Sequence, residues 1–122
     1  MAEEYIVLIH EPEWDPSQVA EADWKAVSEA HAAFAQAVQD AGAQMLGGDA
    51  LMPTSTAVRI VPAHGDSPAV FTDGPFTETK EVVTGFYKLG VKDAAQAREL
   101  AALVPTGGWV ELFPVMDTST GM

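Results

Sequence analysis

The chain has 122 residues, 48% hydrophobic and 20% charged, the profile of one globular domain. Its 18 acids against 6 bases give a net charge of −12, which repels phosphate backbones and anionic membranes, so no nucleic-acid partner is expected. With no cysteine, a thiol nucleophile, a disulfide framework and a cysteine-based zinc site are all excluded.

The opening "MAEEYIVLIHE" begins acidic and carries an apolar run too short for a signal peptide. No stretch approaches the roughly 20 apolar residues of a membrane span. These features lead us to expect a cytoplasmic chain with no membrane partner. "YIVLI", Tyr5 to Ile9, is β-branched and aromatic and reads as a buried strand stopped by Pro12. "EPEWDPSQ" is a loop. From about Val19 to Ala41 the spacing of Trp24, Val27, His31, Phe34 and Val38 predicts an amphipathic helix, with Gly42 as its stop.

"QMLGGDALM" is a short strand in which Gly47 and Gly48 signal a bulge or a close backbone approach. "TAVRIV" is a strand ending at Pro62, and "AHGDSP" is turn chemistry. "AVFT" pairs back on it as a short hairpin. "VVTGFYKLGV" alternates, with Tyr87, Leu89 and Val91 on one face and Phe86 and Lys88 on the other. Asp93 caps a second helix, and Gln96 completes a capping box. That helix buries Ala97, Leu100, Ala101 and Val104 and ends at Pro105. "WVELFPV" is the last strand. Without the short hairpin the order is β-α-β-β-α-β, an α+β ferredoxin-like arrangement with an antiparallel sheet. A single domain over residues 1–116 and a frayed tail over 117–122 are expected.

Both helices cover one sheet face, yet the strands carry apolar residues on both. Trp109, Phe113 and Val115 point away from Val110 and Leu112. Such an uncovered face predicts a homodimer packed sheet to sheet.

Several residues are candidates for chemistry. His31, on the apolar stripe, is either a core histidine or a general base. Asp73 opens "DGPF", where Asp, Gly and Pro suit a turn as well as a rigidly presented carboxylate. Thr77, Glu78 and Lys80 follow in "TETKE"; the threonine and the lysine suit an anionic ligand, and the whole run also suits a solvated loop. Arg59 interrupts an apolar strand, and either anchors a substrate carboxylate or bridges Glu111. His10 and His64 complete a set of three histidines with no metal-ligand spacing, so no metal is expected.

"TAVRIV", "VFTDGPFTETKEVVTGFYKLGV" and "VELFPV", with "LIHE" and "HAAF" earlier, resemble the DGPF-motif branch of the YCII-related proteins. The resemblance covers nearly the whole chain. It implies a dimeric α+β barrel of ferredoxin-like protomers. It also implies a His–Asp pair in a cleft between helix and sheet, which would be His31 and Asp73, acting without a cofactor on a small molecule. A relative dehalogenates chlorinated muconolactones. Arg59, Lys80, Glu78 and Thr77 would then hold the substrate. The alternative it implies is a ligand- or protein-binding regulatory module linked to an extracytoplasmic-function sigma factor. The chain departs from the family pattern at His10, where a tyrosine is expected.

Overall fold

A computed structural model describes residues 3–74 and 81–118. Within them the chain forms β1 (Glu3–Pro12), α1 (Glu21–Asp40), β2 (Gln44–Ala50), β3 (Val58–Val61), β4 (Val70–Asp73), β5 (Glu81–Val91), α2 (Ala94–Ala101) and β6 (Trp109–Pro114). The main sheet has the order β2-β5-β1-β6, antiparallel throughout, and β3 and β4 pair as a separate two-stranded sheet. This is the ferredoxin-like β-α-β-β-α-β order with a hairpin inserted between β2 and β5. Among the described residues the main sheet is open and forms no closed barrel.

Alternation explains which residues enter the core. Tyr5, Val7 and Ile9 of β1 are buried beneath the helices, beside Leu89 and Val91 of β5. Phe34 and Val38 come down from α1, and Ala97, Leu100 and Ala101 from α2. Val7 and Leu89 are wholly inaccessible, and each such side chain contributes about 1.5–3 kcal/mol. Ile6, Leu8 and His10 face the other way. There they stand in register with Phe113, Glu111 and Trp109 of β6.

α1 is shorter than its periodicity predicted, and its apolar stripe does two jobs. Phe34 and Val38 are buried in the core. Trp24 and Val27, about three and two turns before Phe34, remain 44% and 48% exposed. Gly42, at φ +77°, turns the chain out of the helix. At α2, Asp93 accepts from the Gln96 N–H at 2.9 Å, as expected of the cap. The Gln96 side chain does not return to Asp93. It accepts from Lys92 N–H and donates to the Ala41 carbonyl, each at 2.9 Å, tying the two helices' ends together.

Two register slips shape the middle of the sheet. Between Met45 and Gly47 the pairing of β2 with β5 shifts, where the two glycines signalled a bulge. In the pairing of β1 with β5, Ile9 stands opposite Gly85 and His10 opposite Val83. Thr84 is therefore one residue in excess.

Candidate functional site

The unequal burial of α1 leaves a space. Between its N-terminal half and the β2–β5 end of the sheet lies a cavity of about 750 Å³, within the size range of small-molecule sites. Trp24, Val27 and His31 line it from α1, Trp14 and Val19 from the preceding loop, and Gly48, Gly85 and Tyr87 from the sheet. A Cβ on Gly48 would lie 2.6 Å from Cδ1 of Tyr87 and 2.9 Å from the Phe86 carbonyl, so this glycine admits the tyrosine ring.

His31 and Tyr87 meet across the helix–sheet boundary, His31 Nδ1 hydrogen-bonded to the Tyr87 phenol oxygen. Tyr87 is further held by Phe34, the two ring centroids 4.9 Å apart. Burial raises the Tyr87 phenol above its ordinary 10.0, so it is protonated at neutral pH. With Nδ1 engaged, Nε2 of His31 has no protein partner in the described residues. The tautomer decides whether Nε2 presents a proton or a lone pair.

A second polar group sits in the same cavity wall. The Glu11 carboxylate accepts from the Thr84 hydroxyl at 2.7 Å and from the Thr106 hydroxyl at 2.6 Å, one on each oxygen. Thr106 Oγ1 in turn accepts from the Gly108 N–H at 3.0 Å, which fixes its own orientation. Glu11, Thr84 and Thr106 all line the cavity. The bulge in β5 makes this possible, because Thr84 is the residue in excess there.

The positions predicted from sequence separate clearly. His31 is in the cavity wall and its ring partner is Tyr87, not Asp73. Asp73 ends β4, in the separate hairpin, where it is exposed and stands opposite Val58. Arg59 is on β3 of that hairpin, while Glu111 is on β6 and pairs with His10, Nε2 to Oε1, at 2.6 Å. Glu111 thus engages His10 on the open sheet face. There the His10 ring stacks on Trp109 with centroids 4.0 Å apart. Thr77, Glu78 and Lys80 lie outside the described residues.

Glu11 and Tyr87 are the residues that sequence reasoning passed over. Glu11 lies in "HEPEW", where an acid beside a proline looks like ordinary loop chemistry. Tyr87 lies on the face of β5 that its alternation predicts, and alternation does not say where the hydroxyl goes.

The fold and the cavity define an α+β protein of ferredoxin-like topology with a helix–sheet pocket. A model of the YCII-related domain matches residues 6–119, and the chain belongs to that family. No curated protein matches it. Among the described residues, no helix is long and apolar enough to cross a membrane.

Proposed function

We propose that the chain, a member of the DGPF-motif branch of its family, is a small-molecule enzyme whose acid–base residue is His31. The observation that carries this reading is the His31–Tyr87 hydrogen bond in the wall of an apolar cavity. Tyr87 orients the imidazole through Nδ1 and leaves Nε2 to exchange a proton with a bound substrate. Positioned proton transfer of this kind contributes typically about 10²–10⁴-fold to a rate. Glu11, held by Thr84 and Thr106, supplies a fixed carboxylate in the same cavity. The expected role of Asp73 as the orienting group passes in this reading to Tyr87.

The test has two stages. Titration with 2-phenylethanol, an uncharged aromatic probe, should shift the His31 ring resonances together with the indole resonances of Trp14 and Trp24. Once a metabolite panel yields turnover, a folded His31→Ala protein should lose at least about a hundredfold in rate. Full turnover by that variant removes His31 from the chemistry.

The expected dimer also stands as part of this proposal. On the open sheet face Ile6, Leu8 and Phe86 adjoin Trp109 and Phe113, which are 49% and 48% exposed. The His10–Glu111 hydrogen bond, at 2.6 Å, and the Lys88–Glu4 ion pair, at 3.2 Å, flank them. A second copy would cover this surface. The −12 charge supports a second reading, a ligand-sensing module that contacts a basic protein such as a sigma factor. Failure to recover any partner at low salt would overturn that second reading and leave the enzyme reading standing.

A further inference from the structure

We infer that the cavity takes a small organic cation, an ammonium group on an apolar or aromatic body, with Glu11 as its anchor. This rests on the reading of the cavity as a small-molecule site, and it fixes the sign of the charge that the site selects. The expectation from sequence was the opposite, an anionic substrate held by Arg59 and Lys80.

Among the described residues lining the cavity there is neither lysine nor arginine. Arg59 is not one of them. Two acids are present, Glu11 and Asp49. Asp49 pairs in register with Phe86, whose neighbour Leu8 belongs to the opposite sheet face, so Glu11 is the acid that serves the cavity. Among the described residues its carboxylate has two neutral hydroxyl partners and no cationic one. A carboxylate offers about four acceptor positions, and the threonines use two. The remaining positions suit the donors of an ammonium group. A part-buried charge gains most from a partner of opposite sign, because the apolar surroundings screen the attraction less than water does.

The rest of the cavity suits the body of such a ligand. Trp14 and Trp24 stand edge to face with centroids 5.2 Å apart, and both line the opening. Indole faces attract cations as well as hydrocarbon. The nearby N-terminus of α1, a place where anions are otherwise favoured, already carries Glu21 and Asp23 in its first turn. The net charge of −12 adds a field that concentrates cations around the protein.

Three probes of one shape decide the matter: phenethylamine, 2-phenylethanol and 3-phenylpropionate. Each is titrated into the full chain, with binding read from the indole resonances of Trp14 and Trp24. Trp109, on the other sheet face, is the internal control. Phenethylamine should bind at least about tenfold more tightly than the alcohol, the carboxylate should bind most weakly, and added salt should narrow the gap. Glu11→Gln should remove the preference for the amine over the alcohol. If the alcohol or the carboxylate binds as well as the amine, the charge assignment is wrong and the cavity remains a ligand site. A Glu11→Gln protein that keeps the preference removes Glu11 as the anchor. If none of the three moves either indole, the small-molecule reading falls as well. Should Glu11→Gln fail to fold, the wild-type comparison of the three probes still decides.

Discussion

His31 and Tyr87 lie 56 residues apart in the chain and share one hydrogen bond, imidazole Nδ1 to phenol oxygen. The bond joins α1, one turn before its buried Phe34, to β5 in the central part of the sheet. Anything that moves the tyrosine ring therefore moves the imidazole.

The first prediction concerns alkaline pH. Burial raises the phenols of both Tyr87 and Tyr5 above 10.0, and at Tyr5 the neighbouring Glu3 carboxylate adds to the effect. A raised folded value means the folded state holds the proton more tightly. The corresponding stability is fully present below the unfolded value near 10 and is lost as pH rises through the folded values. Urea midpoints should therefore decline above about pH 10, and Tyr87→Phe should make the decline shallower. Identical slopes in the two proteins would count against the Tyr87 contribution.

Gly48 provides a second. Any side chain there meets the Tyr87 ring and the Phe86 carbonyl at once. Gly48→Ala should destabilise the protein by about 1–3 kcal/mol and shift the His31 ring resonances. Denaturant unfolding and histidine nitrogen spectra measure the two effects separately. A destabilised protein with unmoved His31 resonances would show that the tyrosine yields without disturbing its partner.

A third comes from the hydroxyls around Glu11. Thr106→Val removes a donor to the carboxylate and an acceptor for the Gly108 N–H. The expected cost is about 1–3 kcal/mol, read from urea unfolding, while Thr106→Ser should retain most of the stability. A larger loss in Thr106→Ser than in Thr106→Val would mean that the methyl group, not the hydroxyl, matters.

The open sheet face gives the fourth. Sedimentation at micromolar concentration should return twice the 12.9 kDa chain mass. Phe113→Glu, placing a charge in the exposed apolar patch, should return the mass of one chain. A wild-type monomer would remove the dimer from the proposal.

The fold was legible because its signals are local. The apolar run of β1, the alternation in β5, the period of α1 and the punctuation at Gly42 and Pro105 each act within a few residues. The split stripe of α1 was not legible. Trp24 and Val27 continue the spacing of Phe34 and Val38, and sequence spacing does not say that the sheet stops supporting the helix halfway along. The candidate site was legible only at His31. Its partner lies across the domain, and the threonines that hold Glu11 are 73 and 95 residues from it. Asp73 was hard to place for a related reason: it ends a strand of the hairpin and not of the main sheet.

The surplus residue at Thr84 has a consequence for how variants of this chain should be compared. Regular pairing of β1 with β5 would alternate the two faces through Val83, Thr84 and Gly85 without interruption. Instead the count is one too many, and a hydroxyl ends up against the Glu11 carboxylate. A deletion of one residue here would leave every side chain in Glu11's immediate neighbourhood chemically intact and still withdraw one of its two donors. At this point in the chain, the number of residues is as much a part of the pocket's chemistry as their identity.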